Sequence, residues 1–199
     1  MDLLLVFEIV GTIAFALSGA YVAIEKHMDI FGVVVLGTTT AVGGGIIRDM
    51  ILGVTPPIAF QEPVYAGIAI LISLIAFIPR LRETLNKPNN PVLLVMDTIG
   101  LAVFTVIGVR AGMAFDNVFL AVFVGALTGV GGGVVRDIFA NNKPYIFFKH
   151  FYACASLIGA ALTVLLWSWD KGWAMLIGAV VVFVLRILAA RFRWKLPKA

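Results

Sequence analysis

Long apolar runs follow one another along almost the whole chain, and they constrain the fold more than any other feature of the sequence. Of the 199 residues, 61% are hydrophobic and 13% are charged, whereas soluble domains carry about 25% charged residues. A membrane-spanning helix needs about 20 apolar residues, and seven such runs lie at 3–24, 30–52, 63–79, 91–111, 117–140, 148–167 and 173–190. The sequence therefore predicts an all-α integral membrane protein with seven transmembrane helices.

The Lys and Arg residues between these runs predict the orientation of the helices. On one side of the membrane lie ten of them: Lys26, Arg80, Arg82, Lys87, Lys143, Lys149, Arg191, Arg193, Lys195 and Lys198. The other side holds only Arg110 and Lys171. Because cytoplasmic loops carry the Lys/Arg excess, we expect a cell (inner) membrane protein with its N-terminus outside and its C-terminus in the cytoplasm. The basic residues lack interleaved aromatic residues, so no nucleic-acid partner is expected.

A glycine-rich motif occurs twice and reveals an internal duplication. Gly-Gly-Gly-x-x-Arg-Asp occupies residues 43–49 and, 88 residues later, residues 131–137. We interpret the chain as one transmembrane domain, 1–199, with repeat one at 1–88, repeat two at 89–170, an additional seventh helix at 171–190 and a basic cytoplasmic tail at 191–199. Each repeat contains three spans, an odd number, so the second repeat enters the membrane in the opposite orientation. Inverted repeats of this kind place a transport pathway between the halves.

The glycine triplets lie inside the second and fifth predicted spans. They are Gly43, Gly44 and Gly45 in one copy and Gly131, Gly132 and Gly133 in the other. Each glycine costs about 1 kcal/mol relative to alanine in a helix, so we expect both helices to be broken at the triplets, where protein or water rather than lipid meets the backbone. The alternative is close helix packing, because Gly37-x-x-x-Ala41 and Gly125-x-x-x-Gly129 are patterns of small residues.

Charged residues follow both triplets and have further charges at matching depth. The motif charges are Arg48, Asp49, Arg136 and Asp137. Adjacent helix positions point about 100° apart, so at least one member of each couple needs a partner elsewhere. Glu8 and Asp97 are the predicted supporting charges for Arg48 and Arg136 respectively, with a motif aspartate as the alternative partner. Intramembrane charges usually face the bundle interior or a wet cavity, which makes these residues and the triplets the candidate pathway; snorkelling to the interface is the alternative.

The paired motifs and the layout of three, three and one helices resemble the prokaryotic branch of the TRIC (trimeric intracellular cation) channel family, also described as a glycine-transporter-like domain. The resemblance covers essentially the whole chain. It implies a homotrimer in the lipid bilayer with one pore inside each protomer. It also implies that bent second and fifth helices shape this pore, that both motif copies line it, and that monovalent cations such as K⁺ and Na⁺ pass through it.

Catalytic and metal-binding functions find no support in the sequence. It contains no nucleophile with a neighbouring base, no phosphate-binding loop and no His, Cys or carboxylate set with metal-ligand spacing, so we expect no enzyme, cofactor or metal site. A secondary transporter of a small solute such as glycine is the alternative to a channel, because inverted repeats with interrupted helices are common among transporters. A structural or assembly protein would leave the doubled Arg-Asp couples unexplained. Arginines in a cation pore also require neighbouring carboxylates to neutralise them.

Overall fold

The regular structure is entirely helical in the residues that the computed structural model describes, which are 3–85, 91–147 and 151–194. The helices are α1 (Leu3–Glu25), α2 (Ile30–Ile51), α3 (Ile58–Gln61), α4 (Val64–Ala76), α5 (Pro79–Leu85), α6 (Val92–Met113), α7 (Val118–Phe139), α8 (Tyr152–Leu166) and α9 (Lys171–Arg191), with a 3-10 turn at Tyr145–Phe147. The all-α fold class is confirmed. The predicted repeat boundary at 88 and 89, the predicted start of the sixth span at 148 and the tail residues 195–199 lie outside the described residues.

Five helices, α1, α2, α6, α7 and α9, are long and apolar enough to cross a membrane. Their ends differ from the predicted runs by at most two residues, because local capping sets them. The carboxylate of Asp29 accepts the N–H of Gly32 at 2.8 Å before α2, and the side chain of Asn117 accepts the N–H of Leu120 at 3.0 Å before α7. Such N-caps satisfy amides that the first helical turn leaves without a partner.

The third and sixth predicted runs contain shorter helices than expected. The helix α4 has 13 residues and α8 has 15, and at 1.5 Å per residue each covers about 20 Å. Pro79 begins the separate helix α5, because proline has no amide hydrogen to continue a helix but fits the first position of a new one. Phe151 has a left-handed backbone with φ of 53°, and α8 begins only after it.

The helices pack as two similar groups that meet in the middle of the bundle. The helix α1 packs on α2 and α4, and α6 packs on α7 and α8, while α1 contacts α6 and α2 contacts α7. The helix α9 packs on α6 and α8. Gly11 lies against Phe104 and Phe15 lies against Gly100, so α1 and α6 run antiparallel.

The two helices that carry the glycine triplets are continuous, and the predicted break at each triplet is wrong. Where α2 and α7 cross, a Cβ atom added to Gly44 would overlap the carbonyl oxygen of Thr128, and one added to Gly132 would overlap the carbonyl oxygen of Thr40. The helical hydrogen bonds are retained, and the conformational cost of glycine is offset by a backbone-to-backbone contact that a larger residue would prevent.

Candidate functional site: two buried charge clusters

A first cluster, made of Glu8, Arg48, Asp49 and Tyr65, lies near the C-terminal end of α2. Nε of Arg48 donates to Oδ1 of Asp49 at 2.8 Å, and Nη2 lies 2.7 Å from the same oxygen. The other carboxylate oxygen of Asp49 accepts the N–H of Ile58 at 2.8 Å. Arg48 and Asp49 therefore pair with each other, because the long arginine side chain reaches across the angle between adjacent helix positions. Asp49 also has a partner outside its helix, the N–H of Ile58, as expected for at least one member of the couple.

Glu8 belongs to this cluster but does not pair with Arg48. Its Oε2 accepts a hydrogen bond from the hydroxyl of Tyr65, and the salt bridges found among the described residues do not include it. Glu8 and Arg48 instead line one cavity of about 60 Å³, which is large enough to hold water. The predicted direct pair is therefore wrong, and Arg48 takes the alternative partner, its motif aspartate.

A second cluster lies at the corresponding end of α7. It consists of Ser18, Asp97, Arg136, Asp137, Tyr152 and Arg186. Nη1 of Arg136 donates to Oδ1 of Asp97 at 2.5 Å and to the hydroxyl oxygen of Ser18, and Nε donates to Oδ1 of Asp137 at 2.9 Å. The arginine side chain is 0% exposed and both carboxylates are 1% exposed. The structure thus contains the predicted pair of Arg136 with Asp97, and it is fully buried.

Each motif aspartate also holds the loop that follows its helix. Oδ2 of Asp137 accepts the N–H of Tyr145 at 2.9 Å, the same role that Oδ2 of Asp49 has after α2. The backbone carbonyls of the two aspartates accept the N–H groups of Val54 and Asn142, both at 2.8 Å. This 6→1 hydrogen bond closes both helices in the same way, so the duplication in the sequence is reproduced in the hydrogen bonds.

Some residues of the clusters were not predicted from the sequence. Arg186 of α9 is 1% exposed, and its guanidinium carbon lies 5.0 Å from the centre of the Tyr152 ring. Arg186 is a lone charge inside the seventh apolar run, and this feature of the sequence could have identified it, because a charge rarely faces lipid. No local pattern indicates Tyr65, since its hydrogen bond joins residues that are 57 positions apart.

The six triplet glycines divide between helix packing and the clusters. Four of them, Gly43, Gly44, Gly131 and Gly132, lie at the contact of α2 with α7. Gly45 lines the cavity of the first cluster. A Cβ atom added to Gly133 would lie 2.9 Å from the hydroxyl oxygen of Tyr152 and 3.5 Å from Oδ1 of Asp97. The last glycine of each triplet thus leaves space beside a charge cluster.

One face of α1 runs from the first cluster to the second. Glu8 and Thr12 line the cavity of the first cluster, Phe15 lies one turn further, and Ser18 contacts Arg136 in the second cluster. The Phe15 ring is 1% exposed and stacks on Phe104 with a centroid distance of 5.3 Å. Phe104 also lines the cavity, and Phe15 lies between Thr12 and Ser18 along α1, so Phe15 is placed between the cavity and the second cluster along this helix.

The formal charges of neither cluster sum to a positive value. In the first cluster, the ionised carboxylates of Glu8 and Asp49 outnumber the guanidinium of Arg48. In the second cluster, two carboxylates and two guanidinium groups cancel. Arginines near a pore repel cations only when their charge is not neutralised, so this arrangement removes the electrostatic objection to a cation pathway.

Within the three described ranges, no group of three or more His, Cys, Asp or Glu side chains is placed to bind a metal. Asp49 and Asp137 each accept hydrogen bonds at both carboxylate oxygens, which leaves fewer lone pairs for coordination.

The sequence matches one family of membrane proteins over most of its length. The family model described as Glycine transporter matches residues 5–80 and 94–168, one segment in each repeat. The UPF0126 inner membrane protein YadS of Escherichia coli is 40% identical over 194 residues, which are 96% of this chain and 93% of that protein. The similarity to this bacterial relative thus extends over nearly the whole chain.

Solved structures agree with these sequence matches. A structure described as the basis for conductance through TRIC cation channels is 40% identical with a TM-score of 0.87, covering 98% of this chain and 96% of its own. The TRIC trimeric intracellular cation channel orthologue from Rhodobacter sphaeroides is 30% identical with a TM-score of 0.89, covering 98% of this chain and all of its own. The chain belongs to the glycine-transporter family of membrane proteins, in the prokaryotic branch of the TRIC family.

Proposed function

We propose that this protein is a membrane channel that passes the monovalent cations K⁺ and Na⁺ through a pore inside each protomer of a homotrimer. Two similar solved structures are described as cation channels, one of them as trimeric, and neither description is of an enzyme. The observation that carries the proposal is the charge balance of the two buried clusters. Each arginine beside the path is matched or outnumbered by carboxylates, so the path does not repel cations.

The membrane topology that we propose has seven spans arranged as an inverted repeat of three helices plus α9. The shorter helices α4 and α8 complete the two groups, although each is shorter than the ~30 Å hydrocarbon core. The antiparallel course of α1 and α6 supports the inverted relation, because equivalent helices of inverted repeats point in opposite directions. The excess of Lys and Arg on one side supports a cytoplasmic C-terminus and an external N-terminus.

The cation path that we propose runs along the face of α1 between the two clusters. It enters through the cavity beside Gly45 and Arg48, passes the stacked rings of Phe15 and Phe104, and reaches the second cluster beside Gly133. The path is closed here, because Arg136 is fully buried and bound to Ser18. Opening requires the two rings to separate and Arg136 to release Ser18, so that water replaces these contacts. Both copies of the motif thereby contribute to the path.

The test is electrical recording from purified protein in a planar bilayer under asymmetric KCl. We expect unitary currents whose reversal potential lies on the cation side. Glu8→Gln removes the excess negative charge of the first cluster and should lower the cation preference. Asp116→Asn removes an exposed charge between α6 and α7 that does not line the cavity and should leave it unchanged. Absence of current together with saturable glycine counterflow would overturn the channel and establish the transporter.

A further inference from the structure

A cavity of about 420 Å³ lies at one end of the bundle, away from both charge clusters. The start of α1, the end of α6, the segment after α8 and the start of α9 enclose it. Its apolar lining includes Leu3, Leu4, Met113, Trp167 and Met175. The volume lies within the range of about 300 to 1,000 Å³ that is usual for small-molecule sites.

Two basic side chains, Arg110 and Lys171, also line this cavity. Both are exposed, and Nζ of Lys171 lies 5.8 Å from the centre of the Trp167 ring. The salt bridges among the described residues include neither of them. The nearby carboxylate of Asp170 accepts the N–H of Trp173 at the start of α9. The two cations therefore face the cavity without a carboxylate partner in the described part of the chain.

The position of these two residues is not explained by membrane topology. Arg110 lies in the last turn of α6 and Lys171 is the first residue of α9. On the proposed topology they are the two cations near the membrane surface opposite to ten Lys and Arg residues. A bias of Lys and Arg sets the orientation of a membrane protein from the cytoplasmic side, so two cations on the poor side do not serve that role. Their common placement at one apolar cavity indicates a ligand that is both anionic and apolar.

We propose that this cavity binds an anionic phospholipid, with the phosphate of its headgroup between Arg110 and Lys171 and its acyl chain against the apolar walls. Arg and Lys side chains hold phosphate oxygens through charge-assisted hydrogen bonds, and a free phosphate ion would leave the apolar walls without a partner. The lipid contacts α6 and α9 together, so it connects α9 to the second predicted repeat. The proposal does not depend on the channel function.

The test uses the fluorescence of Trp167, which lines the cavity. Phe replaces Trp169, Trp173 and Trp194, all exposed, so that Trp167 is the single reporter. The protein is reconstituted in phosphatidylcholine vesicles that contain either brominated phosphatidylglycerol or, at equal mole fraction, brominated phosphatidylcholine. We expect a preference for the anionic quencher of roughly 30-fold in apparent affinity, which corresponds to about 1 kcal/mol for each of the two basic side chains.

Charge variants distinguish this site from general attraction to the membrane surface. The preference should be lost in Arg110→Gln with Lys171→Gln. It should be retained in Arg110→Lys with Lys171→Arg, and in the matched control Lys26→Gln with Lys143→Gln, which removes two exposed charges from other loops. Equal quenching by both lipids, or a preference that survives the first double variant, would overturn the proposal. Loss of the preference when millimolar inorganic phosphate is added would show a site for a free anion instead.

Discussion

Gly44 of α2 and Gly132 of α7 make the same contact in opposite directions. Gly44 lies against the carbonyl of Thr128 and Gly132 lies against the carbonyl of Thr40. Thr40 and Thr128 occupy equivalent positions of the two motif copies, so each helix offers the other an identical surface and the two cross antiparallel. The absence of side chains at both glycines brings the backbones together, and this contact sets the distance between the two repeats.

Replacing either of these glycines by alanine should destabilise the protein. The new Cβ atom of Gly44→Ala or Gly132→Ala would overlap a backbone carbonyl. Overpacking of this kind costs about 1 to 3 kcal/mol, which outweighs the ~1 kcal/mol gain in helix propensity when the neighbour is rigid backbone. Thermal unfolding in detergent, followed by the reaction of the single cysteine, Cys154, with a fluorogenic maleimide, should show a lower unfolding temperature for both variants.

Gly67→Ala is the matched control for these substitutions. Gly67 lies in α4, and a Cβ atom added there has no heavy atom within 4 Å. We expect this variant to be as stable as the original protein or slightly more stable. If Gly44→Ala and Gly132→Ala behaved like Gly67→Ala, the close approach of α2 and α7 would be disproved.

The pair of Asp97 with Arg136 should show strong energetic coupling. Asp97→Asn leaves the buried guanidinium with less compensating charge, and breaking such a buried pair costs about 3 to 5 kcal/mol. The double variant Asp97→Asn with Arg136→Gln should recover part of this loss, because it removes both charges. The measurement compares the unfolding temperatures of the two single variants and the double variant. If the decrease in the double variant equals the sum of the two single decreases, the two residues do not interact.

Loss of the stacked aromatic pair should increase cation flux. In Phe104→Leu a smaller side chain replaces a ring that lines the first-cluster cavity and stacks on Phe15, while the site stays apolar. If the proposed path passes these rings, we expect a severalfold higher K⁺ flux from loaded liposomes. Phe119→Leu changes a ring that is 78% exposed and should leave the flux unchanged. Unaltered flux in Phe104→Leu, with the oligomer intact on size-exclusion chromatography, would argue against the proposed path along α1.

The C-terminus should lie in the cytoplasm. The ten-to-two distribution of loop Lys and Arg residues supports this orientation. A C-terminal green fluorescent protein fusion should fluoresce in cells, and a C-terminal alkaline phosphatase fusion should be inactive. The reverse result would exchange the outer and inner ends of the proposed path.

Helix ends that are set by capping residues next to them in the sequence were predictable. The runs at 30–52 and 117–140 agree with α2 and α7 because Asp29 and Asn117 cap them within three residues. The pair of Arg136 with Asp97 was also predictable, since the duplication gives both residues the same depth in the membrane. A buried charge without a partner would be costly at that depth.

The features that depend on packing between distant helices were not predictable. Nothing near Glu8 in the sequence indicates that Tyr65 donates a hydrogen bond to it. The glycine triplets were expected to break their helices because helix propensity treats each helix alone. Helix propensity does not include contacts with a neighbouring helix. At Gly44 the backbone of α7, at the carbonyl of Thr128, supplies such a contact in place of a side chain.

A single three-helix unit would be able to form the crossing of α2 and α7 with an identical copy of itself, because both sides of the contact supply the same glycine and threonine. The two copies would have to enter the membrane in opposite orientations, so one gene would produce a dual-topology dimer. Its loops would then have to stay nearly free of Lys/Arg bias, since a bias forces every copy into one orientation. Fusion of two units removes this restriction, because one chain sets the orientation of both copies together, so the fused chain can carry a strong Lys/Arg bias.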